Sequence, residues 1–138
     1  MEAIKTYAEE LLRLRTWAND SLPAYGSSAA VDMMLYVIAH HRGASGSRLK
    51  DLYLSLPYSE SNLRRYLRLM EKDGWVVLQA DADDHRNHLV SPTPRLLAAF
   101  EDYALRAKRM ADGVSEESLV EWLECIDLET PVTPGQPD

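Results

Sequence analysis

The chain has 138 residues, 46% of them apolar and 27% charged, with a net charge of −7. That composition describes one soluble globular domain large enough to bury a sizeable core. It excludes a membrane span, which needs about 18 consecutive apolar residues, a secretory leader at Met1-Glu2-Ala3-Ile4-Lys5 and, with Cys125 alone, a disulfide framework; the expected location is cytoplasmic, with no membrane partner.

Ile4, Tyr7, Ala8 and Leu11 fall at helical spacing, and the pattern continues through Leu14 to Trp17 or Ala18. Asn19-Asp20-Ser21-Leu22-Pro23 breaks this first helix, and Gly26-Ser27-Ser28 prolongs the loop. Its apolar face suits packing against its own domain and contact with a second copy alike. Ala29 to His41 (AAVDMMLYVIAHH) is nearly continuously apolar, capped by Ser27 or Ser28, with Asp32 its one acid. Its length predicts a buried helix at the centre of the core, closed by Gly43 and Gly46.

Leu49, Leu52, Tyr53 and Leu56 repeat at i, i+3, i+4 and i+7, so a short amphipathic helix follows, with Ser47 as its expected N-cap. Pro57 stops it, and Ser59 caps the next helix within two residues, the spacing of a helix-turn-helix. In that second helix Leu63, Tyr66, Leu67 and Met70 form one apolar face. The residues between them, Ser61, Asn62, Arg64, Arg65, Arg68 and Lys72, make the other face polar and basic. Such a helix suits the major groove of DNA, where arginine reads guanine, asparagine reads adenine, and either holds phosphate. Ser61, Asn62 and Arg65, near the helix start, are the groove-facing candidates; Arg64 and Arg68 reach towards phosphates. Gly74 ends the helix, Trp75-Val76-Val77-Leu78 turns to strand, and His88-Leu89-Val90 returns. Asp81 to Asn87 form the tip of the hairpin between them. Residues 42–95 carry nine Lys/Arg against seven Asp/Glu, residues 1–41 three against five, and residues 96–138 three against ten. The helix-turn-helix and hairpin therefore form the only net basic third of an acidic chain, an arrangement that still permits DNA binding.

Thr93 caps a further helix with Pro94 at its first position, running through Leu96, Leu97, Phe100, Tyr103, Ala104, Ala107 and Met110 to Gly113. Leu96, Tyr103 and Met110 are seven apart, as in a seam between paired helices. Ser115 opens a last helix with Glu116 and Glu117 in its first turn and an apolar face of Leu119, Trp122, Leu123 and Ile126. The tail from Glu129, with three prolines, is expected to be disordered. The fold class expected is mainly α with a small β-hairpin wing: a winged helix-turn-helix with flanking N- and C-terminal dimerisation helices. The expected division is one domain, 1–128, made of an N-terminal helix and loop (1–28), the winged helix-turn-helix core (29–92) and C-terminal helices (93–128), with the tail at 129–138. Apolar faces at both chain ends suggest a homodimer, which suits a palindromic site on double-stranded DNA.

The run from Tyr58 to Thr93 resembles the winged helix of MarR-type bacterial transcription regulators. The resemblance lies in Ser59-x-Ser61-Asn62, in Met70-Glu71-Lys72-Asp73-Gly74-Trp75-Val76, in the wing Asp81-Ala82-Asp83-Asp84-His85-Arg86, and in the Ser91-x-Thr93 step. It implies that Arg86 enters the minor groove with Asp84 fixing its orientation. With these two, the residues expected at the DNA are Ser59, Ser61, Asn62, Arg64, Arg65, Arg68 and His88, and the function the resemblance implies is sequence-specific regulation of transcription. Where the family usually has glycine three residues after the threonine, this chain has Leu96, and Pro94 is unusual. Many relatives respond to aromatic or phenolic small molecules; Trp17, Tyr25, Tyr36 and His40 are the candidates for such an effector pocket, with aromatic core as the competing role.

Other chemistry finds little footing. His40 and His41 are adjacent and point to different sides of a helix, and His85, His88, Asp81, Asp83 and Asp84 lack the spacing of a metal site. No metal or other cofactor is expected. Cys125, beside Trp122 and Ile126, reads as a small buried hydrophobe. No phosphate loop or nucleophile motif is present, so an enzyme is not expected. The rival functions are a winged helix that binds protein through its outer face, and a non-specific DNA-binding accessory protein.

Overall fold

The computed structural model describes residues 2–41, 46–82 and 88–129, with side chains described as far as Cys125. The elements run α1 (Glu2–Ser21), α2 (Ser28–Ala39), β1 (Ser47–Arg48), α3 (Leu49–Ser55), α4 (Glu60–Lys72), β2 (Val76–Ala80), β3 (His88–Pro92), α5 (Pro94–Asp112) and α6 (Glu116–Glu129). The described residues form two compact units, one within 16–103 and one made of the chain ends, residues 2–15 with 104–129. No described helix is long and apolar enough to cross a membrane.

Residues 16–103 hold one apolar core. Met33 and Val37 of α2, Leu52 of α3, and Leu63, Leu67 and Met70 of α4 are buried together with Trp75, Val76, Val90 and Leu96. The expected central helix is present, and Ser27 is its cap: the hydroxyl accepts from the Ala30 amide at 3.4 Å. It is not buried on every side, since Leu35 is 41% exposed. Leu96 is wholly buried in this core. The expected seam through Leu96, Tyr103 and Met110 therefore does not run as one interface, because its first residue is used up inside its own chain.

Helix α1 runs to Ser21, past the expected end at Trp17 or Ala18. The chain turns only where Pro23 ends the ladder and Tyr25 and Gly26 adopt positive φ, 49° and 63°. The Asn19 side chain, expected to break the helix, instead accepts from the Gly26 amide at 3.2 Å and braces the turn.

Ser47 does not cap α3. The cap position is Arg48, without a side-chain hydrogen bond. Ser47 lies in β1, paired with Val90, and its hydroxyl donates to the His40 carbonyl at 3.2 Å. This two-residue strand, absent from the sequence reading, makes the hairpin the larger part of a three-stranded antiparallel sheet of order β1-β3-β2. Register runs from Val76 opposite Pro92 to Ala80 opposite His88. Gly46 serves this sheet and not a helix end: a Cβ there would lie 2.6 Å from Ser91 Oγ and 2.8 Å from the Val90 carbonyl oxygen.

The α4–β2 junction follows the expected glycine termination closely. With Gly74 at φ 81°, its amide donates to the Glu71 carbonyl at 3.1 Å and the Trp75 amide to the Met70 carbonyl at 2.8 Å. Two carbonyls orphaned at the helix end are thereby satisfied. Thr93 caps α5 as expected, accepting from the Leu96 amide at 3.3 Å. Its hydroxyl also lies 2.8 Å from the Gly74 carbonyl and 3.0 Å from that of Trp75, so it pins the start of α5 to the end of α4.

In the unit formed by the chain ends, Ser115 caps α6 through the Ser118 amide at 3.1 Å. Leu105, Leu119 and Leu123 are 47%, 40% and 55% exposed, and Cys125, expected to be buried, is half-exposed. Helix α6 includes Glu129, the first residue of the expected tail; residues 130–138 lie outside the described part.

Candidate nucleic-acid interface

Helix α4 starts at a serine cap. The Ser59 hydroxyl accepts from the Asn62 amide at 3.3 Å, so Ser59 has a structural task at the expected interface. At 100° per residue, positions 61, 65 and 68 fall within one narrow sector opposite Leu63, Leu67 and Met70. Leu63, Leu67 and Met70 are buried, whereas Ser61, Arg64, Arg65 and Arg68 are exposed and Asn62 is half-buried. Lys72 is exposed in the last turn, where a cation suits the negative helix end.

The arginines differ in their surroundings. Arg64 Nη2 lies 3.0 Å from Glu60 Oε1, with both side chains 56% exposed, and its guanidinium sits 5.8 Å from the Tyr53 ring. Arg65 lies 5.4 Å from the ring of Tyr66. An exposed i, i+4 pair is worth about 0.3–0.5 kcal/mol and an exposed cation–π contact about 0.5–1 kcal/mol. Neither holds a guanidinium against a phosphate.

Both ends of α4 are fixed by tyrosine hydroxyls on carboxylates. In the turn before it, Tyr58 donates to Asp32 of α2 at 2.6 Å, and that bond, with burial second, raises the Tyr58 hydroxyl above its ordinary value. At its end, Tyr25 donates to Asp73 at 2.7 Å and stacks on Tyr66, centroids 6.2 Å apart. Burial, then the Asp73 hydrogen bond, push the Tyr25 hydroxyl well above the usual tyrosine range. Arg95 donates to the Asp73 carbonyl and lies 3.9 Å over the Trp75 ring. Asp73, Tyr58 and Arg95 carried no site role in the sequence, and Tyr25 was expected only at an effector pocket, since partners this distant leave no local signal.

Between α3, α4 and the hairpin lies an open groove of about 590 Å³, lined among others by Lys50, Tyr53, Leu54, Arg64, Arg68 and His88. Lys50, Tyr53 and Leu54 are additions to the expected interface; Leu54 is 76% exposed on α3. Burial raises the Tyr53 hydroxyl, opposed by Arg64. His88 is exposed at the start of β3. Arg48 lies 4.0 Å from Asp81, which is only 9% exposed, so Asp81 belongs to the base of the hairpin and not to an open acidic tip. Asp84 and Arg86, with the rest of the tip from 83 to 87, lie outside the described residues.

The four effector-pocket candidates fall on three separate ring pairs. Tyr36 and His40 stack with centroids 4.0 Å apart, Trp17 stacks on Tyr103 at 6.4 Å, and Tyr25 on Tyr66. None of the four lines the groove at α4.

No family model and no curated protein sequence matches the chain. Solved structures do. S. aureus MepR in complex with DNA superposes with a TM-score of 0.70 at 15% identity, covering 94% of this chain and 100% of that one. MarR gives 0.56 at 16% identity over 93% and 95%, and the transcriptional regulator Tm0710 from Thermotoga maritima 0.54 at 17% over 92% and 93%. The element order and the capped, one-sidedly basic α4 define a winged helix-turn-helix. Within that class, the coverage of whole neighbour chains gives the fold as the MarR type, as the Tyr58–Thr93 resemblance implied.

Proposed function

We propose that this chain is a sequence-specific DNA-binding transcription regulator that acts as a homodimer, with α4 in the major groove and the wing in the minor groove. The carrying observation is α4 itself: Ser61, Arg65 and Arg68 share its exposed side while Leu63, Leu67 and Met70 seat the other side in the core. Ser61 and Arg65 read base edges; Arg64 and Arg68, with Lys50 beside them in the groove, take phosphates. A solved neighbour that is itself a DNA complex supports the same reading. Arg86 at the wing tip is assigned by the resemblance alone, with Asp84 as its support. The dimer reading rests on the exposed Leu105, Leu119 and Leu123 of the terminal helices, an apolar surface that favours a partner.

Selection from a random pool of duplex DNA tests the proposal. The expected result is an enriched inverted repeat with half-sites about one helical turn apart, and relaxed preference at one base pair per half-site for Arg65→Ala. A pool that emerges without enrichment overturns the specific-regulator reading.

A further inference from the structure

One residue of α4 runs against the electrostatics of the proposed interface. Glu60 is the first residue of the helix and is exposed. It stands in the turn that a recognition helix inserts deepest, where an anion meets a surface of phosphates. Its ordinary roles, complementing the positive end of the helix and pairing at i, i+4, do not need an acid that weakens every encounter with DNA. Its surroundings give it another. Glu60 Oε1 holds Arg64 Nη2 at 3.0 Å, the same guanidinium sits over Tyr53, and Lys50, Arg68 and His88 line the same groove. Arg64 is thus paired with a carboxylate on one flank of α4, beside the central sector of Ser61, Arg65 and Arg68.

Resting on the DNA-binding reading, we propose that Glu60 is a specificity-determining residue that works mainly by exclusion. On an arbitrary duplex, Arg64 reaches a phosphate only by leaving Glu60, whose carboxylate is then desolvated among phosphates and base acceptors without a donor. On the matched sequence a cytosine amino group, the base donor that suits an acidic side chain, replaces the arginine as partner of Glu60. Arg64 is then released to the backbone at no loss to the carboxylate. Discrimination arises because the wrong sequence leaves a charge unpaired.

The test compares Glu60→Gln with Glu71→Gln in the full chain. Both remove one exposed acid from α4, but Glu71 lies in its last turn. Fluorescence anisotropy gives the affinity of each variant for the duplex selected by the unaltered chain and for a scrambled duplex. Glu60→Gln is expected to bind the scrambled duplex more tightly and to lower the selected-to-scrambled affinity ratio roughly tenfold. A repeated selection with it should lose a cytosine preference at one position per half-site, and Glu71→Gln should leave the ratio unchanged. Equal shifts on both duplexes, no shift, or the same loss of ratio for Glu71→Gln would overturn the role of Glu60 while leaving DNA binding intact. Absence of binding by the unaltered chain to any duplex overturns the functional reading and this inference together.

Discussion

Tyr25 occupies a strained place, with φ at 49° between α1 and α2, and spends its hydroxyl on Asp73 at the far end of α4. Folding raises its pKa, chiefly through burial, so the stability it contributes is complete below the ordinary tyrosine value of about 10 and falls as pH rises towards the folded value. Tyr25→Phe keeps the stack on Tyr66 and removes the titrating group. We expect it to lower stability at neutral pH and to reduce the drop in thermal midpoint between about pH 8 and about pH 11. The drop should shrink and not vanish, because Tyr53 and Tyr58 are shifted in the same direction. An undiminished alkaline drop would refute the buried Tyr25 hydroxyl as one of its sources. At this scale the sequence was legible wherever the physics is local. The caps made by Ser59 and Thr93 and the turn at Gly74 each act on a residue three positions away. Ser47 was misread because its sheet partner, Val90, is remote, and the hydroxyl–carboxylate pairs across 48 and 26 residues were invisible for the same reason.

Among the elements, α3 and α4 were legible because burial imposes the 3.6-residue period: Leu52, Leu63, Leu67 and Met70 lie in the core, as their spacing required. Strand β1 was not, since two residues are too few to show an alternation. Helix α1 was read short because Asn19-Asp20-Ser21 has turn chemistry, which tertiary structure here uses to brace the following turn. The end of α4 depends on one backbone conformation. At Gly74 a Cβ would meet nothing closer than 3.7 Å, from Arg95, so Gly74→Ala tests conformation and not crowding. We expect a loss of roughly 1–2 kcal/mol in chemical denaturation, with the slope of the transition unchanged. A stability equal to that of the unaltered chain would show that the helix ends without need of the left-handed turn.

Across the whole molecule, net acidity and the proposed DNA binding are reconciled by segregation: the basic excess is confined to residues 42–95. The candidate interface was legible as a segment and only partly as a set of residues. Ser61, Asn62, Arg64, Arg65 and Arg68 were expected from spacing. Lys50 and Tyr53 join them only when α3 and the hairpin fold against α4, and the role proposed for Glu60 rests on its contact with Arg64 in the fold. The terminal helices carry a separate expectation. If Leu119 and Leu123 face a second copy, the double variant Leu119→Ser, Leu123→Ser should sediment as a folded monomer while the unaltered chain sediments as a dimer. Identical sedimentation of the two would place any dimer contact elsewhere.

The most direct test of the central claim is the dependence of DNA affinity on salt. Each phosphate neutralised by α4 and its neighbours should add about −0.9 to the slope of log K against log salt. The unaltered chain should therefore bind duplex DNA with a steep negative slope, and Arg68→Ala should make it shallower by about one such unit per subunit. Binding that is indifferent to salt, or a slope unmoved by loss of Arg68, would contradict the placement of this helix against the phosphate backbone.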